Sequence, residues 1–254
     1  MTDISSAASL QDLPQTVVSL SKTYSDGHES VRHSHRRLQL MFAISGLMIA
    51  DTGNTTWTVP AGHGLIIPPL VPHQTQMIGE VALRSLYIST KFTEDVAAQT
   101  CRVVTIRPLL AALIERQCAL ENRSPSEPLA HHLSALILIE LGEAPVSPLA
   151  LPYPIHSGLR GICEALRTDP SLIKTIDQWA GEVGMSRRAF TRVFRQQTGL
   201  SFDLWRQRLR CQIAMQEIAR DQPIEKVATK VGYRSPYSLR AMIRRLAANR
   251  VANI

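Results

Sequence analysis

Two groups of residues in this 254-residue chain carry chemistry by their type and spacing. The first is His33-Ser34-His35, followed by Gln39 and, much later, by His73. On an extended strand alternate side chains share a face, so a His-x-His pair turns both rings to one side. Neutral imidazoles are ligands for Zn, Ni, Cu or Fe, and Gln39 adds a weaker oxygen that brings no charge. Three readings stand side by side: a cup for a divalent transition metal, a metal-free His-lined pocket for a small-molecule effector, and histidines that only hydrogen-bond a barrel. The sequence requires no cofactor, and the one candidate is the divalent metal in this cup. His28 and His63 read as surface-loop residues, and His131-His132 falls on a helical segment.

The second group is a set of arginines behind a repeated turn. Ala180-x-x-x-Gly184-x-Ser186 and Ala228-x-x-x-Gly232-x-x-Ser235 match each other. The small Ala lets two helices approach, the Gly ends the first helix in the left-handed conformation, and the Ser caps the second. Thr175-x-x-Gln178 opens the first copy as a capping box, and Pro236 suits the first turn of the last helix in the second. This is the pattern of a helix-turn-helix, whose second helix enters a DNA major groove. In the first copy Phe190, Val193 and Phe194 form the apolar stripe and leave Arg187, Arg188, Thr191, Arg192 and Arg195 outside. In the second, Leu239, Met242, Ile243 and Leu246 form the stripe, leaving Tyr237, Arg240, Arg244 and Arg245 outside.

These residues need elements to position them. Short apolar runs at Gln39–Ile44, Leu47–Ala50, Thr55–Val59, Gly64–Ile67 and Val81–Ser89 are separated by Gly- and Pro-containing turns, which predicts an all-β barrel or sandwich. Arg107–Leu120 and Leu129–Leu141 have helical periodicity and flank the polar turn Glu121–Pro128. They predict a helical hairpin whose apolar stripe is buried in a dimer or against its own barrel. Residues 142–158 hold four prolines and read as a linker. Beyond it, helices are predicted over Leu159–Thr168, Ile176–Val183, Arg187–Thr198, Phe202–Arg220, Ile224–Val231 and Pro236–Ala248. The helix from Phe202 is long enough, at ~28 Å, to set two recognition helices about one DNA turn apart.

Charge follows the same division. Residues 1–159 hold 10 Lys+Arg against 13 Asp+Glu, whereas residues 160–254 hold 18 against 8. The overall +7 thus averages a slightly acidic part and a part of about +10, as expected if one domain meets a polyanion. The four cysteines form no CxxC pair, no apolar run reaches membrane-spanning length, and no secretory leader pattern opens the chain. A cytoplasmic protein with reduced thiols and no membrane partner is expected.

Residues 157–248 resemble the DNA-binding domain of AraC/XylS-type transcription regulators. The match is carried by Met185-Ser186-Arg187-Arg188-Ala189-Phe190-Thr191-Arg192-Val193-Phe194-Arg195-Gln196-Gln197-Thr198-Gly199 and by Ala228-x-x-x-Gly232-Tyr233-x-Ser235. The resemblance implies base-reading positions at Arg188, Thr191 and Arg192, and at Pro236, Tyr237, Arg240 and Ala241. Two departures weaken the second unit: Ala241 stands where a long polar side chain is usual, and the tail after Leu246 lacks the family's Gly-x-x-Pro-x-x-aromatic close.

The segment around His33, His35, Gln39 and Gly46, with Gly62, Pro68 and His73, resembles the two cupin motifs, with Gln39 in the carboxylate position and Leu70 in place of a Gly. Together with Trp57-x-Val59-Pro60, Ile66-Ile67-Pro68-Pro69 and Leu83-Arg84-Ser85-Leu86-Tyr87, it resembles the cupin-sensor branch of the same regulators. The expected fold is α+β multidomain: a cupin-like β-barrel over 1–106, a helical hairpin over 107–141 for dimerisation, a Pro-rich linker over 142–158 and an all-α double helix-turn-helix over 159–254. The resemblance implies a transcription regulator, not an enzyme, that senses a small molecule or metal and binds double-stranded promoter DNA; the hairpin stripe adds the expectation of a homodimer. The competing reading is a metal-dependent cupin enzyme with a helical appendage. A relative with impaired DNA binding is the third reading, motivated by the altered tail.

Overall fold

The computed structural model describes residues 8–92, 100–120 and 127–247. The turn expected at Glu121–Pro128 falls mostly outside them, as does the tail from Ala248 on. The described chain forms two compact units. One runs through Thr52 and again over Trp57–Ser147, and the other takes Gly53–Thr56 and the chain from Pro148 onward.

The first unit contains β1 (Val17–Tyr24), β2 (Leu38–Ala43), β3 (Leu47–Asp51), β4 (Thr55–Pro60), β5 (His63–Ile67), β6 (Gln74–Ile78), β7 (Val81–Ile88), β8 (Arg102–Thr105), α1 (Pro108–Ala119), α2 (Glu127–Gly142) and β9 (Val146–Ser147). One sheet has the order β1-β7-β2-β5-β8-β9, and β4, β3 and β6 lie in that order in a second. The expected β-barrel architecture is therefore present. Four strands of this unit exceed the sequence reading: β1, which pairs with β7 along its whole length, β6, β8 and the two-residue β9. β6 reads Gln-Thr-Gln-Met-Ile, too polar for an apolar-run criterion. His63, expected on a loop, opens β5 half-buried, with Nδ1 against Ala61 C=O at 3.3 Å.

β2 is buried at every position because both of its faces are covered. Leu38, Leu40 and Phe42 join Ile66, Leu86 and Ile88 under Leu110 and Ile114 of α1 and Leu133, Ile137 and Leu141 of α2. This part of the hairpin stripe is thus buried on its own sheet, while Leu109, Leu136 and Ile139 stay exposed. Gln117 of α1 fixes this docking, donating through side-chain Nε2 to Val17 C=O at 3.0 Å and accepting at its backbone carbonyl from the Ser19 hydroxyl at 3.3 Å. The opposite face of the sheet carries Gln39, Met41, Ser85 and Tyr87, by strand alternation.

The second unit contains β10 (Ala150–Pro152), α3 (Ser157–Thr168), α4 (Ile176–Glu182), α5 (Arg187–Thr198), α6 (Phe202–Ala219), α7 (Ile224–Lys230) and α8 (Pro236–Ala247). The stretch 142–158, expected as a linker, is ordered into elements. Val146 and Ser147 pair with β8, while Leu151 and Tyr153 belong to the second unit's core. Trp205 Nε1–H donates to Pro152 C=O at 2.6 Å and Arg208 to Ala150 C=O at 3.0 Å, so this stretch, poor in backbone donors, is held through its carbonyls.

Leu70, at the position where the motif usually has Gly, adopts φ 63°. Its side chain is 67% exposed, so nothing in packing offsets the left-handed strain of about 1–2 kcal/mol. Leu70→Gly is expected to stabilise the first unit by about 0.5–1 kcal/mol, after the larger entropy of unfolded glycine is subtracted. Urea denaturation of the variant beside the parent checks this.

Candidate effector cup and nucleic-acid interface

The three motif histidines meet. Residues 27–33 run antiparallel to 73–77, with Ser30 N–H to Thr75 C=O at 2.9 Å and Met77 N–H to His28 C=O at 2.9 Å. His33 and His73 exchange both backbone bonds, at 2.9 and 2.8 Å. His35 follows two residues later, and its carbonyl accepts from Leu70 N–H at 2.7 Å. Ring centroids lie 4.7 Å apart for His33 and His35, 4.5 Å for His33 and His73, and 5.3 Å for His35 and His73. One nitrogen from each ring lies within 4.8 Å of the others. The segment is not a regular strand, yet the two-residue spacing still turns both rings to one side.

The chemistry of these rings is set by their other contacts. Nδ1 of His33 faces Val31 C=O at 2.7 Å, and Nδ1 of His73 faces Val71 C=O at 3.0 Å. A carbonyl only accepts, so each Nδ1 carries a proton, and in the neutral ring Nε2 is the nitrogen left to accept or ligate. Nε2 of His35 and of His73 is buried without a hydrogen-bond partner. Gln39 is buried beneath them on β2, donating through Nε2 to the Tyr87 hydroxyl at 3.1 Å, and its Oε1 has no partner. Tyr87 also stands edge-on to His35 at 5.1 Å. Burial, then the neighbouring His33 and His73, pulls the His35 pKa down to about 4, and burial likewise lowers His73. Neutral rings with aimed, unspent lone pairs fit a transition metal or a hydrogen-bond-donating ligand.

In the second unit the two turns are built alike, bond for bond. Gly184 and Gly232 have φ of 66° and 75°. Met185 N–H reaches Ala180 C=O at 2.9 Å and Gly184 N–H reaches Gly181 C=O at 3.1 Å. The second turn repeats this, with Tyr233 N–H to Ala228 C=O at 2.8 Å and Gly232 N–H to Thr229 C=O at 3.0 Å. Both are Schellman closures that satisfy the last carbonyls of α4 and α7. Ala180 and Ala228 are buried where the paired helices cross. Ser186 accepts from Ala189 N–H and Ser235 from Ser238 N–H, each at 3.2 Å, so both serines cap the helices that follow. Thr175 and Gln178 form the expected capping box on α4.

The outward faces then differ in what their side chains are free to do. On α5, Arg188, Arg192 and Arg195 are exposed and make no ion pair among the described residues. Arg187 lies 3.5 Å from Asp177, and the Thr191 hydroxyl donates to its own helix at Arg187 and Arg188 C=O. On α8, Tyr237 is 79% exposed, Arg240 and Arg244 are exposed, Ala241 is exposed without a polar group, and Arg245 is tied to Gln207 of α6. Arg206, Arg208 and Arg210 belong to the basic surplus but are half-buried on backbone carbonyls. Their spacing on one helix sets Arg206 and Arg210, four apart, on one face and Arg208 on the other, so the three cannot all face one DNA backbone, which is the only trace of this in the sequence.

Two expectations follow. The unfolded chain binds more protons than the fold between about pH 6.5, where a free histidine titrates, and the His35 value of about 4. Stability of the first unit should therefore be full above that window and fall as pH drops through it. Urea midpoints at pH 7 and pH 5 measure this, and His35→Gln should flatten the difference. Gly184→Ala costs about 1–2 kcal/mol from backbone strain alone, because its Cβ meets nothing within 4 Å. Gly232→Ala should cost visibly more in thermal unfolding, since its Cβ would meet Ser171 Cα at 3.1 Å.

Comparison with known proteins agrees with both halves. Residues 17–139 match the AraC-like ligand binding domain, and residues 179–251 match a Helix-turn-helix domain. The HTH-type transcriptional regulator NimR of Escherichia coli (strain K12) is 30% identical over 213 residues, 84% of this chain and 77% of that protein. The HTH-type transcriptional regulator RipA of Corynebacterium glutamicum is 32% identical over 94 residues, 37% of this chain and 28% of its own. Among solved structures, ToxT from Vibrio cholerae O395 aligns over 93% of this chain and 95% of its own with 10% identity and a TM-score of 0.38. The AraC-like transcriptional activator CuxR aligns over 76% and 75% with 15% identity and a TM-score of 0.41. The two family matches and the likeness to NimR favour the regulator over the metal-dependent enzyme. The chain belongs to the AraC family of transcription regulators, with an N-terminal ligand-binding domain and a C-terminal helix-turn-helix domain that binds DNA.

Proposed function

We propose that α5 and α8 enter successive major grooves of a promoter and that the His33, His35, Gln39 and His73 cup is where the signal binds. The supporting observation is the pair of matching Ala–Gly turns, each presenting a helix with arginines that make no ion pair among the described residues. Arg188, Thr191 and Arg192 read bases on α5, with Arg187 and Arg195 beside them on phosphates. On α8, Tyr237 and Arg240 reach base edges, while Arg244 and Arg245 hold phosphates. Ser186 and Ser235 serve chiefly by capping, and their helix N-termini face the backbone.

In the cup, the unpartnered Nε2 atoms of His35 and His73 favour a divalent transition metal over histidines that merely brace the barrel. Such a metal, held by the three rings with Gln39 as an uncharged fourth donor, would supply Lewis acidity and open positions for an effector. A second copy of the chain packs on the outer face of α2, where Leu136 and Ile139 are 45% and 57% exposed beside an open hollow lined by Ala135, Leu138 and Gly142. Regulation takes place on DNA in the cytoplasm.

Gel-shift titration of the full-length protein on its own upstream region, across salt concentrations, tests the DNA reading. Binding tighter than to unrelated duplex is expected, and equal affinity for both at every salt concentration refutes it. Arg192→Ala should cost about 1–3 kcal/mol on the specific duplex, whereas Arg244→Ala should weaken all duplexes alike and lower the salt slope by about 1. For the cup, equilibrium dialysis against Ni(II) or Zn(II) should give about one bound ion per chain, lost in His73→Ala. Equal uptake by that variant assigns the ion elsewhere.

A further inference from the structure

Each helix-turn-helix unit has its own core, and two cores strung on one helix can twist against each other unless something else joins them. Three contacts do. Arg210 of α6 donates through Nε to Pro170 C=O at 2.9 Å, in the loop that leads into α4 of the first unit. The same guanidinium lies over the ring of Tyr233, 5.9 Å from its centroid, in the turn of the second unit. Beside Tyr233, the backbone of Gly232 runs so close that a Cβ would stand 3.1 Å from Ser171 Cα and 3.2 Å from Arg210 Nη2.

The loop that is gripped is itself stiff. Ser171 donates from N–H and from its hydroxyl to Asp169 Oδ1, at 3.0 and 2.6 Å. Arg206, one helical turn before Arg210, donates to Leu172 C=O at 2.7 Å. One planar guanidinium therefore holds the first unit's loop and the second unit's turn together, and a Cβ at Gly232 would crowd their approach.

We infer that Arg210, with Gly232 as its seat, is a positioning residue that sets the distance and phase between the two recognition helices, and so the spacing of the DNA blocks the protein accepts. This rests on the two-groove reading above. The requirement is geometric: each base pair added between the blocks turns one of them away by roughly a tenth of a turn. Arg210 touches no DNA in this role. A lysine keeps the charge but not the fork that engages carbonyl and ring at once.

The test uses the full-length protein to select duplexes from a randomised library, followed by gel shifts on the selected duplex with base pairs inserted or deleted between the blocks. The wild type should yield two blocks at one spacing and lose about tenfold in affinity per altered base pair. Arg210→Met and Arg210→Lys should bind a single isolated block as the wild type does, yet discriminate between spacings by about twofold or less. Tyr233→Leu removes the stacked ring alone and should relax the spacing in the same direction, which decides the matter if thermal melting shows Arg210→Met unfolded. Undiminished spacing discrimination in the folded variants overturns the role of Arg210 while leaving the two-groove reading intact. A wild-type pool with a single block overturns that reading and the inference with it.

Discussion

The DNA-binding half depends on one helix that belongs to two cores. The first half of α6 puts Phe202, Trp205 and Leu209 among Trp179, Phe190 and Phe194, and the second half puts Cys211 and Ala214 among Val227, Leu239 and Met242. The aromatic contacts are edge-to-face: Phe190 to Phe202 at 5.0 Å, Phe194 to Phe202 at 5.2 Å, and Phe194 to Trp205 at 5.9 Å. Such pairs each contribute about 0.5–1.5 kcal/mol beyond area burial and restrict ring orientation. A helix of 18 residues, about 27 Å long, thus acts as a spacer only because both of its ends are packed on several sides. That packing also explains why its three alternate arginines turn inward to carbonyls rather than outward to phosphates.

The sensor half rests on a different constraint, the backbone ladder between His33 and His73. These residues are 40 apart in the chain and adjacent only because residues 27–33 pair with 73–77. The ladder delivers two rings whose Nδ1 protons are already engaged on backbone carbonyls. What remains is a set of buried ring nitrogens, two of them without a hydrogen-bond partner. A ligand in this cup therefore meets donors prepared by the fold itself, and protonation works against both the cup and the fold in the same pH range.

Much of this was legible in the residues. Glycine at the two turns, serine at the two caps and a 3.6-residue apolar period are local signals, and the helices they predict coincide with those observed to within two residues. The sheet was less legible. β1 and β6 carry polar residues on one side and obtain their stability from a partner strand distant in sequence, which no local period reports. The proline-rich stretch 142–158 read as a linker because prolines lack donors, but its carbonyls are acceptors, and α6 supplies the donors from more than 50 residues away.

The sequence by itself determined the class of protein, the two turns, their caps and the identity of the histidines, because each follows from residue type at short range. The tertiary structure alone decided which of those groups are free to act. Arg188, Arg192 and Arg240 remain exposed, whereas Arg206, Arg208 and Arg210 are spent on carbonyls, though all six add equally to the charge. Likewise only part of the hairpin stripe is satisfied on its own sheet, and three histidines become one site only through a long-range ladder. In each case the deciding quantity is which partner a polar or apolar group meets, and that is a property of packing rather than of composition.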